Sequence, residues 1–283
     1  MKLSDLMAYG KSSLEKADKE SPLFDSMCIL EQASGLNKTN IYLNADKDID
    51  KSVECCFKAN IHRRAKGEPL QYILESWDFM GMNFLVGPGV LIPRPETEIL
   101  VELAVSKIRQ RKEETVVFDL CAGTGCIGIS VAKLCANANV YLVEKSPEAL
   151  EYLTKNNNCF QLENTTIIQG DIFEGFHAFK LPQPDIVLSN PPYIPTEEIE
   201  SLQTEVTFEP REALDGGCNG LDFYRAINEL WSPYMNAQGM LAVECGESQA
   251  TKISELFSNV NNRVSTVSDY NKIKRVVLME NGR

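Results

Sequence analysis

The sequence predicts an α/β protein, a doubly wound sheet preceded by a small all-helical domain. Three observations carry that reading. From Thr115 onward, short apolar runs alternate with amphipathic helical stretches, the pattern of strands crossed over by helices. The first of these runs, 116–120, leads straight into a glycine-rich turn that opens a helix. Residues 1 to about 72, by contrast, show apolar spacings of three and four, the helical period.

Within the helical part, Ser21-Pro22 is a cap followed by proline at the first helical position, and Gly35 ends that helix after Leu23, Phe24, Met27 and Leu30. A second helix runs from about Asp50 to Ala65, with Val53, Cys56, Phe57 and Ile61 on one face. Around Gly81 the aromatic and aliphatic residues suggest a hairpin, so 73–90 reads as a linker between domains. Ile99, Leu100, Leu103, Ala104 and Ile108 mark the next helix. Strands follow at 116–120, 140–144, 165–169, 185–189 and 240–244. The last two apolar runs, 264–267 and 275–279, lie too close for a helical crossover and suit an antiparallel hairpin. The expected division is therefore 1–72 as a helical docking domain, 73–90 as a hairpin linker and 91–283 as the chemical domain.

The formal charge is -12, which weighs against nucleic acid as a direct partner, since phosphate binding favours a basic surface. It suits a small cofactor or a basic protein partner. Nine cysteines without a Cys-x-x-Cys pair suggest free thiols, with neither disulfides nor a metal site. The first residues lack an apolar signal, and no stretch is apolar enough to span a bilayer, so a cytoplasmic protein is expected, and a monomer.

The turn Asp119-Leu120-Cys121-Ala122-Gly123-Thr124-Gly125 opens a helix whose free N–H groups suit a carboxylate or a phosphate. Gly123, Gly125 and Gly128 match the dinucleotide pattern, and Glu144, at the end of the next strand, is placed to accept from two ribose hydroxyls. Those features fit NAD and S-adenosylmethionine equally. Two details favour S-adenosylmethionine: Asp119 is an acid suited to the cofactor's ammonium, and Asp171 with Ile172 is suited to an adenine amino group and ring.

The most specific segment is Asn190-Pro191-Pro192-Tyr193 at the carboxyl end of a strand. An amide or ring-bound amino nitrogen is a poor nucleophile, because its lone pair is delocalised. The Asn190 side-chain carbonyl and the Pro191 backbone carbonyl are suited to accept from such an NH2 group and to stabilise charge developing on it. Pro191 and Pro192 stiffen the loop, and Tyr193 offers a flat face to a planar group.

With these residues in view, the chain resembles the release-factor glutamine methyltransferases, the HemK/PrmC family. The likeness covers the helical domain, Arg64–Ile73, Ile92-Pro93-Arg94-Pro95-Glu96-Thr97-Glu98, the glycine turn and Asn190–Tyr193, with Phe208–Pro210 and Ala213–Gly217 downstream. It implies a Rossmann-like methyltransferase sheet that moves a methyl group from S-adenosylmethionine to the glutamine amide of a Gly-Gly-Gln motif in peptide-chain release factors. It also implies that Cys121, Ala122, Gly123, Thr124, Gly125, Glu144, Ile172 and Asn190 contact the cofactor and that Asn190–Tyr193 hold the glutamine. Cys121 departs from the glycine of many members. Arg94, a candidate substrate contact, either braces the loop with Thr97 and Glu98 or helps cap the helix they precede.

Three other classes remain to be weighed. A nucleic-acid amino-methyltransferase shares the loop but wants a basic track. An NAD-dependent oxidoreductase explains the glycines and leaves Asn190–Tyr193 unexplained, while a non-enzymatic binding module explains neither.

Overall fold

The computed structural model describes residues 1–260 and 262–282, and the chain divides into two compact units. The first joins Met1–Ser76 to a short distant segment, Gln203–Phe208. Its helices are α1 (Leu3–Lys16), α2 (Pro22–Ser34), α3 (Lys38–Leu43), α4 (Lys51–Ala65) and α5 (Leu70–Leu74). Leu6, Leu14, Ile29, Leu30, Ile41, Phe57 and Ile61 form its interior. Gly10 brings α1 tightly onto its neighbours, since a Cβ there would lie 2.2 Å from Ser26 Oγ and 2.7 Å from the Phe57 ring. Gly35 ends α2 in the left-handed region, φ 68°, as its position in the sequence suggests. Ser21 precedes α2 but makes no side-chain cap.

Arg64 ties this unit together. Its Nε donates to Asp25 at 2.6 Å, and its NH1 donates to Glu205 at 2.7 Å and to the Glu68 carbonyl at 3.1 Å. Glu205 thereby fastens Gln203–Phe208 to the helices. No local pattern announces that return of the chain.

The second unit contains the hairpin β1 (Ser76–Phe79) and β2 (Met82–Leu85) from Trp77 onward. Phe79 and Phe84 are buried edge to face in its core, so the hairpin belongs to this unit rather than to a separate linker. The main sheet holds β3 (Thr115–Leu120), β4 (Ala138–Glu144), β5 (Thr165–Gln169), β6 (Ile186–Ser189), β7 (Met240–Glu244), β8 (Asn262–Ser268) and β9 (Lys274–Asn281). Their order is β5-β4-β3-β6-β7-β9-β8, parallel through β7, with β9 antiparallel to both neighbours.

Helices cover both faces. On one side α6 (Glu98–Arg109), α7 (Cys126–Leu134) and α8 (Pro147–Phe160) contribute Leu100, Ile129 and Leu153 to a core with Val117, Leu142, Leu188 and Ala242. On the other, α9 (Asp222–Leu230) and α10 (Ala250–Phe257) pack Tyr224, Ile227, Ile253 and Phe257 with Phe118, Val187 and Leu241. Alternate residues of β3 thus serve opposite cores, which is why its sequence is apolar almost throughout. Strand order reverses at β3, with β4 on one side and β6 on the other, and the crevice at their carboxyl ends is where such sheets bind ligands.

Arg64→Met removes the partner of the buried Asp25, whose carboxyl burial already raises above its ordinary pKa. The helical unit should lose about 3–5 kcal/mol, read from hydrogen exchange of α2 and α4. The deficit should shrink as pH falls, because a protonated Asp25 no longer strands a charge.

Candidate active site

A cavity of about 630 Å³ opens at the carboxyl ends of the strands that flank the switch point. Its walls come from the Cys121–Thr124 turn, the end of β4, the start of α8, the 170–173 segment, and Asn190 and Pro192 after β6. Gly89–Leu91, Pro93 and Thr97 close another side.

The turn is held by carboxylates of the protein itself. Glu144 accepts from the Gly123 N–H at 2.8 Å through one oxygen and from the Lys145 and Ser146 N–H groups, both at 2.8 Å, through the other. Asp119 accepts from Gly128 N–H at 2.9 Å, in the first turn of α7. Two anion-attracting N–H groups are therefore already matched, and a negative charge stands beside them. That arrangement repels a pyrophosphate and leaves room for a neutral or cationic group. Asp119 does not line the cavity, and its Oδ1 has no partner among the described residues. Burial chiefly, opposed by the Gly128 N–H, carries its pKa up to about 7.

Gly123 has φ +56° and open space where a Cβ would stand, so a ligand can approach the backbone there. Cys121 adopts φ 61°, the left-handed conformation that glycine takes without cost. Burial pushes its thiol well above the ordinary range. Asp171 caps a short helical turn by accepting from Phe173 N–H at 3.0 Å, and it pairs with Lys145 at 2.8 Å. Ile172 is buried beside it, its carbonyl accepting from Trp231 Nε1 at 2.8 Å.

Asn190 has one side-chain group engaged and one bare. Its Nδ2 donates to Thr97 Oγ1 at 3.2 Å, and Thr97 donates to Glu244 Oε2 at 2.6 Å. Its Oδ1 is buried without a partner among the described residues. The loop beyond is clamped. Gln249 Nε2 donates to the Tyr193 carbonyl at 2.8 Å and to that of Gly220 at 3.2 Å. Ile194 and Asp215 form a parallel bridge in which Ile194 N–H donates to Leu214 O and Gly216 N–H to Ile194 O, both at 2.9 Å.

Residues 5–74 match the PrmC N-terminal domain and residues 95–217 the methyltransferase small domain. A release factor glutamine methyltransferase of Geobacter sulfurreducens is 38% identical, the match spanning 96% of this chain and 94% of that one. Another, of Clostridium acetobutylicum, is 36% identical over 100% of this chain and 99% of its own. The chain belongs to the release factor glutamine methyltransferase family. A solved methyltransferase of Pyrococcus furiosus shares the fold at 16% identity, with a TM-score of 0.52 over 80% of this chain and 97% of that one.

For this release factor glutamine methyltransferase family member, the structure gathers most of the sequence candidates around one cavity. Cys121, Ala122, Gly123, Thr124, Glu144, Asp171, Ile172, Asn190 and Pro192 all line it. Gly125, Pro191, Tyr193 and Arg94 are not among the residues that line it. Gly125 begins α7 at φ 80° and packs against Leu153 and Ile129. Tyr193 packs into the second core, where burial lifts its phenol to about 12. Arg94 pairs with the buried Glu209, which also accepts from Ile92 N–H at 3.0 Å. Glu98 accepts from Met80 N–H at 2.6 Å and so anchors the hairpin. Thr97 makes no cap bond to α6. These three side chains brace the unit rather than cap the helix.

Sequence reasoning passed over Glu244 and Gln249. Glu244 had a signal, since it is a charged residue closing an otherwise wholly apolar strand. Gln249 had none.

Gly216→Ala would set a methyl group 2.7 Å from Tyr193 Cα and 2.8 Å from the Pro192 carbonyl. Overpacking against backbone should cost this unit about 1–3 kcal/mol in denaturant titration and depress turnover further by moving the loop.

Proposed function

We propose that this protein transfers a methyl group from S-adenosylmethionine to the side-chain amide nitrogen of the glutamine in the Gly-Gly-Gln motif of peptide-chain release factors. The observation that carries the reading is Asn190, whose amide nitrogen is engaged by Thr97 while its buried carbonyl oxygen is left to accept. Membership in a family whose relatives are named release factor glutamine methyltransferases supports it.

S-adenosylmethionine supplies an electrophilic methyl group on a cationic sulfonium. The cavity suits it in three respects. Gly123 permits close backbone approach, the turn's own carboxylates exclude a diphosphate, and Glu144 and Asp171 give the walls negative charge. Cys121–Thr124 and Glu144 would hold the cofactor's amino-acid and ribose parts, and Asp171 with Ile172 its base. Asn190 Oδ1 and the Pro191 carbonyl accept the two N–H groups of the glutamine amide, which fixes the nitrogen for in-line attack. As positive charge develops on nitrogen those acceptors bind more tightly, so they stabilise the transition state more than the bound amide. The N-methyl amide then loses its extra proton to water. Tyr193 supports this loop from behind through its packed ring and its carbonyl, held by Gln249.

The helical unit is assigned to docking of the release factor. Leu23 and Phe24 of α2 and Tyr42 and Leu43 of α3 are exposed apolar side chains, Leu43 to 76%. Phe24→Glu with Leu43→Glu should raise KM for intact release factor and leave methylation of a short Gly-Gly-Gln peptide unchanged. Equal KM for the intact substrate removes the docking role.

The main test is mass spectrometry of a Gly-Gly-Gln peptide incubated with S-adenosylmethionine. One methyl group should appear on the glutamine, and Asn190→Ala should reduce its rate by about a hundred- to a thousandfold with little change in melting temperature. Near-normal rates in that variant refute the role of the loop, and methylation at any other residue refutes the substrate.

A further inference from the structure

The hydrogen bonds behind Asn190 form a directed chain. A threonine hydroxyl has one hydrogen, and an ionised carboxylate can only accept. With Glu244 ionised, Thr97 must spend its hydrogen on Glu244 Oε2, 2.6 Å away. Its oxygen is then only an acceptor toward Asn190, 3.2 Å away, and Asn190 must turn its NH2 to it. The carbonyl oxygen, buried and unpartnered among the described residues, is what remains for a ligand. Were Glu244 neutral, its own hydroxyl could donate to Thr97, and Thr97 could donate to Asn190. The amide would then be free to present its NH2, a donor, where the reaction needs an acceptor.

We propose that Glu244 and Thr97 are positioning residues that set the polarity of the Asn190 amide and so make it an acceptor for the incoming nitrogen. The inference rests on the amide-methylation reading of this site. Thr97 and Glu244 are 2% and 3% exposed, so water does not compete for either bond. The groups that act on the Glu244 carboxylate are those of the protein. Thr97 donates to it, and Arg275 and Arg94 favour the charge, whereas burial and Glu96 oppose it. The thiols of Cys126 and Cys245 and the phenols of Tyr193 and Tyr224 around it are all raised and stay neutral near pH 7. Burial outweighs the rest and brings the Glu244 carboxyl up to about 7. The relay is therefore polarised above that pH and loses its direction as pH falls through it.

Steady-state methylation of the Gly-Gly-Gln peptide by the full chain tests the relay. Thr97→Val keeps the shape without the hydroxyl and should lower kcat by roughly ten- to a hundredfold with KM nearly unchanged. Thr97→Ser, which restores the hydroxyl, should recover most of the loss. Wild-type kcat should fall on the acid side of about 7, and Glu244→Gln, with nothing to titrate at that position, should shrink that limb to whatever part Asp119 sets. A Thr97→Val enzyme with normal kcat overturns the proposal, as does an acid limb unchanged in Glu244→Gln. The side-chain 15N signals of selectively labelled Asn190 report the relay without turnover. They should move as wild-type protein is titrated through about 7 and stay still in Glu244→Gln. Signals that ignore pH in the wild type overturn the relay even if the peptide is methylated. A wild type that leaves the glutamine unmodified while those signals titrate overturns the substrate reading and keeps the relay.

Discussion

The register of four parallel strands decides where the chemistry of this molecule sits. Leu120 lies level with Val143 on one side and Ser189 on the other, and Ser189 lies level with Val243. The residues one step further along each strand are therefore neighbours at the carboxyl end of the sheet: the Cys121 turn, Glu144, Asn190 and Glu244. Ser189 Oγ donates to the Leu120 carbonyl at 2.6 Å and locks β6 to β3 where the two loops begin. A slip of one residue would invert the faces of the strand that slipped and carry its side chains into the wrong layer.

Once register has brought the acids together, the cost of burying them is met by backbone donors and single hydroxyls. Glu144 takes three N–H groups, Asp119 takes one, Glu209 takes one together with Arg94, and Glu244 takes the Thr97 hydroxyl. Each bond also fixes something the site needs. Glu144 shapes the turn, Asp119 satisfies the start of α7, Glu209 holds the 92–94 strand of loop, and Glu244 directs Asn190. The acids with the fewest donors, Asp119 and Glu244, are the ones whose pKa values burial lifts to about 7. This is the expected consequence of placing charge where water cannot reach it.

The loop after β6 carries a different constraint, that of space. Prolines remove its flexibility from within, while Gly216 and Gly220 let a second stretch of backbone press against it. At Gly220, φ is +67° and a Cβ would fall 2.2 Å from the Tyr193 carbonyl, so no other residue fits. Gln249 then spans both stretches with its amide. Stiffness here has a chemical purpose, because an acceptor that does not move at the moment of reaction costs no reorganisation.

The local pattern of residues was enough for the sheet, its helices and the cavity wall. Alternating apolar runs, the Cys121–Gly125 turn, Glu144 and Asn190–Tyr193 announce themselves because strand, turn and loop preferences act over a few neighbouring positions. The antiparallel ending was legible for the same reason, since β8 and β9 are separated by too few residues for anything else. Tertiary structure alone decided the rest. Gln203–Phe208 folds onto the helical unit through Glu205 and Arg64, 141 residues apart in the chain. Tyr193 turns into the core rather than the cavity, and Glu244 reaches Asn190 through Thr97, 147 residues from the acid. Such pairings depend on which strand lies beside which and on where burial leaves a polar group without water, and neither is written in any stretch of neighbouring residues.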